Sequence, residues 1–238
     1  MQSLLENDIV LYMRETLGPH LALKELEEIS QVYRITRGID GWLTELEGAA
    51  LYTAAKYGPS KGAIVEIGSF QGRSTVWLAK GSKQVGRERV NAVDTHLGSP
   101  EHQPGGEYAS HMPPEGTTES VFRHNIREAG LEDWIVPLVM SSADALSLWQ
   151  DPIRLLFIDA EHAYEAVRSD FLSWQEYVVV GGLVVFHDVD RWDGSTVLDG
   201  PTRVVYEDVT QTGLYSDPII VNHLAFVSKL RASFSPIA

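Results

Sequence analysis

Two short segments of this chain set acids beside histidines at the ends of apolar runs: "LLFIDAEH", containing Asp159 and His162, and "LVVFHD", ending in His187 and Asp188. Carboxylates and an imidazole that converge can hold a hard or borderline divalent cation. Carboxylate and water suit magnesium or manganese, whereas imidazole pulls toward iron, cobalt, nickel or zinc. Asp159, His187 and Asp188 are therefore candidate metal ligands, although His187 could equally hydrogen-bond a substrate or simply finish a strand. His162 stands three residues after Asp159 and would share its face if that turn were helical. Its ordinary pKa lies near neutrality, which suits it to accept a proton. Strand-end acids, helix caps and a surface histidine account for the same residues without chemistry.

A second constellation lies upstream in "AIVEIGSFQGRST", residues 63–75. An apolar run ends, Gly68 permits a tight turn, and Gly72 permits close backbone approach. The helix predicted after Gly72 presents free N–H groups that favour an anion such as a carboxylate. The G-x-x-x-G spacing is a poor fit to the G-x-G-x-x-G dinucleotide fingerprint. "NAVDTH" then ends the next apolar run in Asp94, about one βαβ unit on, where an acid commonly takes ribose hydroxyls. A connecting turn and a capping acid remain the plainer reading of each half.

Positioning these residues on one edge requires a sheet of parallel strands. "AIVEIG", "RVNAVD", "IVPLVM", "RLLFID" and "GLVVFHD" are short β-rich runs, separated by helical patterns such as "TESVFRHNIREAG" and "EAVRSDFLSWQEYV". Strands alternating with helices imply a parallel sheet covered on both faces. Near-continuous apolar character is what doubly buried strands require. In the tail, two β-like runs flank Asn222-His223 with no helix between them and predict an antiparallel hairpin. The expected fold is α/β, a doubly wound, mostly parallel seven-stranded sheet with that hairpin at its end. Residues 1–60 read as an N-terminal helical extension and residues 61–238 as one compact unit. Within the extension, "LLENDIVLYM" and "ALKELEEISQVY" carry helical apolar spacing. Thr44 and Glu47 form a capping-box pattern ahead of a helix that stops at Gly58-Pro59. The long Pro-, Gly- and His-rich loop around residues 98–120 is expected to be functional or disordered. Its neighbours His96, His102 and His111 read as solvated, Glu161 as a first-turn acid of the following helix, and Trp77, Trp149 and Trp174 as core.

Composition narrows the function. The 238 residues carry a formal charge of −14, and such a surface disfavours nucleic acid and anionic lipid as partners. There are no cysteines, which removes disulfides, zinc–thiolate sites and a cysteine nucleophile and suits a cytoplasmic protein. The first residues read as an amphipathic helix rather than a signal peptide, and no apolar run approaches bilayer-spanning length.

"VEIGSFQGRSTVWLAKG" resembles the first motif of class I S-adenosylmethionine-dependent methyltransferases, and "AVDTH" resembles their second. "MSSADAL" sits where such enzymes contact adenine, and "LLFIDAEHAYEAVRSDF" with "GGLVVFHDV" is similar to the metal-dependent O-methyltransferase branch, which includes catechol-type and macrolide-sugar enzymes. The five ordered motifs cover residues ~45–190. The resemblance implies that Gly68 and Gly72 face the methionine part of the cofactor. It further implies that Glu66, Ser69 and Ser74 serve that end, that Asp94 holds the ribose, and that Ser142, Ala143 and Asp144 flank the adenine. It implies a divalent cation, magnesium or manganese first, on Asp159 and Asp188, with His162 as base in a D-x-x-H segment. His187 departs from the branch, whose slot is acidic in macrolide-sugar enzymes. The implied activity is methyl transfer from S-adenosylmethionine to a hydroxyl of a small molecule, such as a specialised-metabolite sugar, phenol or polyketide. A nicotinamide-dependent oxidoreductase and a noncatalytic binding protein on the same fold are the alternatives. A homodimer is the expected assembly.

Overall fold

The computed structural model of the chain describes residues 23–192 and 200–232. The helix expected over residues 4–13 lies outside them. Seven strands form one sheet: β1 (Ala63–Ile67), β2 (Val90–Val93), β3 (Ile135–Leu138), β4 (Ile153–Ile158), β5 (Val178–Phe186), β6 (Ile219–Val221) and β7 (Leu224–Ser228). Their order is β3-β2-β1-β4-β5-β7-β6. Strands β1 to β5 are mutually parallel, and β7 runs antiparallel to β5 and to β6. The order reverses between β1 and β4, and in open α/β sheets ligands bind at that crevice. The class, the strand count and the terminal hairpin are those expected. β5 begins four residues earlier than its apolar signature suggested, because Val178–Val180 precede a kink at Gly181, whose φ is +81°.

Side chains that alternate along each strand build two cores. On one face, Ile64, Ala92, Leu155 and Phe157 pack with α1 (Leu23–Thr36), α2 (Glu45–Tyr57), α3 (Arg73–Gln84) and α4 (Glu119–Glu128). On the other, Val65, Ile67, Leu156 and Val184 pack with α5 (Ser142–Leu148), α6 (Tyr164–Trp174) and a helical stretch through Val204–Val209. The described part of the N-terminal extension thus closes one face of the sheet. Its second helix starts where the capping box placed it, with Thr44 accepting from the Glu47 amide and Glu47 accepting from the Thr44 amide. Trp77 and Trp174 are buried in opposite cores, with Trp149 packed against the second. No helix among the described residues is long and apolar enough to cross a membrane.

Candidate active site

Four strand ends come out level. Past the strand termini, Asp94 N–H donates to the Leu138 carbonyl at 3.1 Å, Gly68 N–H to Val93 at 2.9 Å, Asp159 N–H to Ile67 at 2.8 Å and His187 N–H to Ile158 at 3.1 Å. Each bond extends the parallel ladder by one step, so the residues that leave the sheet do so side by side. They open into a cavity of about 620 Å³. Phe70 and Asp188, which line it, and His96, two residues beyond Asp94, take left-handed backbone conformations with φ of 45°, 55° and 58°. Non-glycine residues rarely adopt that region, and such strain collects at functional sites.

At one end lies the glycine turn. Asp94 accepts the Ser69 and Phe70 amides through Oδ2, both at 2.8 Å, and the His96 amide through Oδ1 at 2.8 Å. Asp94 lines the cavity, and its oxygens keep lone pairs for further donors. Ser69 also lines the cavity, and its buried Oγ has no partner. A buried orphan hydroxyl beside a helix N-terminus is the group that a carboxylate ligand would satisfy. The two glycines have a different reason for being bare. A Cβ on Gly68 would lie 2.1 Å from the Asp159 carbonyl oxygen, and one on Gly72 3.0 Å from the Phe122 ring. Both have positive φ, and Gly72 does not line the cavity. Packing of protein against protein thus requires them before any ligand does. Glu66 is likewise beneath the floor: fully buried, it accepts Ser74 Oγ at 2.6 Å and Thr75 Oγ1 at 2.5 Å. Burial pushes its carboxyl up to about 8. Ser74 lines the cavity but gives its hydroxyl to Glu66.

Further along the same crevice, Ser142 and Ala143 line the cavity while Asp144 does not. Asp144 is bonded to Ser141 Oγ in the cap of α5. Ser142 Oγ donates to Asp170 Oδ1 at 2.5 Å and accepts Trp174 Nε1–H at 2.8 Å. Asp170, on α6, faces the cavity, and burial raises its pKa. Nothing in the sequence marks it, where it is one more acid in a helical pattern.

At the other end, Asp159, His162, His187 and Asp188 come together. Each of Asp159, His162 and Asp188 offers a donor atom, and the three atoms lie within 4.8 Å of one another. Two carboxylates and an imidazole at that spacing suit a divalent cation. Residues 159–163 are not helical, so His162 reaches this position through a loop rather than by helical spacing. Its Nε2 meets Asp188 Oδ2 at 2.9 Å and its Nδ1 meets Glu101 Oε2 at 2.9 Å. The hydrogen bond to Asp188 raises His162 to about 9. His187, expected among the ligands, turns both nitrogens to acids. Its Nδ1 lies 3.1 Å from Asp159 Oδ1 and 3.2 Å from Asp188 Oδ2, and its Nε2 lies 3.6 Å from Glu47 Oε2. Burial alone would lower its pKa, but Asp159, Asp188 and Glu47 outweigh that and raise it. Burial raises Asp159 despite the nearby histidines. Burial would also raise Asp188, but hydrogen bonds from His162 and His187 hold it below the usual carboxylate range.

The long loop is folded over this site. Tyr108 N–H donates to the Glu101 carbonyl at 2.9 Å, and Thr118 N–H to that of His96 at 2.9 Å. Trp42 packs at a tilt against Phe70, Tyr108 and His111 at ring separations of 5.5, 4.7 and 4.9 Å, and Phe70 against His102 at 5.3 Å. Trp42, Phe70, His102 and Tyr108 form an aromatic wall of the cavity. The solvated reading is corrected for His96, which is buried and bonded to Thr118 Oγ1 at 2.9 Å, and for His102, which lines the cavity, whereas His111 is partly exposed beside Asp40. Glu161 is corrected too, since it lines the cavity and α6 begins only at Tyr164. Asp190 pairs with His223 outside the cavity.

The family described as "Methyltransferase domain" matches residues 65–189. Among solved structures, cofactor-bound Rv0187 from MTB superposes with a TM-score of 0.60 at 20% identity, covering 93% of this chain and 96% of that one. The O-methyltransferase from Bacillus cereus in complex with SAH gives 0.58 at 19%, covering 93% and 97%. The SAH-bound methyltransferase PaMTH1 of Podospora anserina gives 0.57 at 13%, covering 94% and 95%. At these identities the likeness is one of fold. A curated relative, "Uncharacterized protein R132" of Acanthamoeba polyphaga mimivirus, is 36% identical over 64 residues, which is 27% of this chain and 28% of the relative's length.

Proposed function

Since the chain belongs to the methyltransferase-domain family, we propose that it moves the methyl group of S-adenosylmethionine to a hydroxyl of a small molecule, assisted by a divalent cation. The observation that carries this reading is the level exit of four strands, which puts the glycine turn, Asp94 and the Asp159–Asp188 pair around one cavity. The structural relatives solved with SAH, one of them an O-methyltransferase, support the choice of donor and acceptor atom. The oxidoreductase alternative finds no support in the family.

Ser69 and the start of α3 bind the donor's carboxylate, Asp94 its ribose hydroxyls, and the Ser142–Ala143 segment with Asp170 its adenine. Asp159 and Asp188 would hold the cation. When bound it stabilises negative charge developing on a hydroxyl oxygen. Magnesium commonly uses one or two carboxylates and keeps water in its other positions. In the metal-free fold Nε2 donates to Asp188 and the ring stays protonated at neutral pH, so His162 can take the hydroxyl proton only once Asp188 is engaged by the cation and that hydrogen bond is given up. Glu101, bonded to Nδ1, would then fix the tautomer with Nε2 as the acceptor. Binding orients the oxygen, and the folded loop with its aromatic wall excludes water from the cavity.

Calorimetry with S-adenosylhomocysteine, followed by methyl transfer to a panel of sugar, phenol and polyketide alcohols, tests this. Binding is expected, with transfer abolished by EDTA and reduced at least about a hundredfold in His162→Asn. Failure to bind S-adenosylhomocysteine removes the reading altogether. Transfer that survives both EDTA and Asp188→Ala removes the cation alone.

A further inference from the structure

We infer that Glu47 is a positioning residue of the site, holding the His187 ring so that it sets the geometry of Asp159 and Asp188. The inference rests on the reading above, in which those two acids hold a cation.

Glu47 belongs to α2, in the layer that the sequence presents as an extension. As the third residue of a capping box it needs only one oxygen for the helix end, and Oε2 serves there, accepting Thr44 N at 2.7 Å and Thr44 Oγ1 at 2.8 Å. A capping residue of this kind ordinarily faces water. This one is 1% exposed, and its Oε1 accepts His223 N–H at 3.0 Å from the turn between β6 and β7. The carboxylate is therefore clamped from two elements. Its Oε2 lies 3.6 Å from His187 Nε2, an ion-pair contact rather than a hydrogen bond.

His187 itself is 6% exposed and has no other partner for Nε2 among the ion pairs of the described residues. At its far side, Nδ1 is shared between Asp159 and Asp188 at 3.1 and 3.2 Å. Two carboxylates this close repel one another unless a donor lies between them. The ring supplies that donor, and Glu47 decides which way the ring faces. The arrangement is that of an outer partner orienting the groups that bind a metal. Loss of such a partner typically weakens metal affinity 10- to 100-fold.

The test uses Glu47→Gln, which retains an oxygen for the helix cap and removes the charge facing His187. Glu47→Asp, which draws the carboxylate back by one methylene, should show the same losses in smaller measure, so either variant suffices if the other does not fold. Leu51→Val on the same helix serves as a control for general destabilisation. Two quantities are read: Mn²⁺ affinity by calorimetry, and the ring N–H resonance of His187 in the metal-free protein by ¹⁵N NMR. Glu47→Gln should bind Mn²⁺ at least about tenfold more weakly and lose the protected ring signal, with S-adenosylhomocysteine affinity within twofold of the parent. Leu51→Val should lower Tm and leave both unchanged. Unaltered Mn²⁺ affinity and ring signal in Glu47→Gln overturn the inference, as does loss of both in the control. If the parent protein binds no Mn²⁺, the proposed cation is wrong, and the ring signal alone decides whether Glu47 holds His187.

Discussion

Asp94 and Ser69 are joined by a 2.8 Å bond from the Ser69 amide to Asp94 Oδ2, which ties the end of β2 to the turn that follows β1. The same oxygen takes the Phe70 amide, so one carboxylate holds two successive N–H groups of a turn that contains a left-handed phenylalanine. Asp94→Ala should therefore loosen the turn as well as remove the proposed ribose contact. An S-adenosylhomocysteine affinity at least about tenfold weaker is expected, together with a loss of about 1–3 kcal/mol in unfolding free energy from stranded amides. Calorimetry and denaturant unfolding measure the two effects. An affinity equal to that of the parent would leave Asp94 a structural tie alone.

Gly68→Ala should be more damaging than an ordinary glycine substitution. The added carbon would sit 2.1 Å from the Asp159 carbonyl oxygen, at a backbone φ of +88°. β1 and β4 would have to part at the level of the site. Thermal melting should show a substantial drop in Tm, and any folded fraction should have lost Mn²⁺ and S-adenosylhomocysteine binding together. A variant with parental Tm would show that the strand ends have more room than the geometry gives.

Glu66 gives a pH signature. Burial raises its carboxyl to about 8 from an unfolded value near 4.5. Its contribution is thus fully present below about pH 4.5, is lost progressively as pH rises toward 8, and changes no further above that. Each unit of elevation corresponds to about 1.4 kcal/mol. Glu66→Gln, which cannot ionise, should flatten this part of the stability–pH curve and gain on the parent between pH 5 and 8. Parallel curves for the two proteins would mean that Glu66 is ionised in the fold at neutral pH.

His162 should titrate well above a free histidine. The Asp188 hydrogen bond raises it to about 9, so the stabilisation it gives the metal-free fold is complete below about pH 6.5 and gone above about pH 9. In Asp188→Asn, NMR titration should find the His162 resonance moving toward the ordinary range. A midpoint that stays near 9 would assign the effect to Glu101, the other acid on the ring.

What the sequence determined by itself is local. Apolar period marked the strands and the helices between them, glycine marked the turn after β1, and Thr44 with Glu47 marked the start of α2. Each signal lies within a few residues, because turns, caps and alternation are decided by neighbours in the chain. Strand polarity reaches one step further: parallel strands end on one edge, so Asp94, Asp159 and Asp188 must share it. Which side chains pair across that edge was left to the tertiary structure. His162 comes back onto Asp188 through a loop with no periodicity, Glu101 reaches it from a second such loop, and Glu47 turns from a helix cap into a partner of His187 only once α2 lies on the sheet. Those contacts join residues whose separation in the chain carries no spacing rule, and only the packed layers bring them within reach.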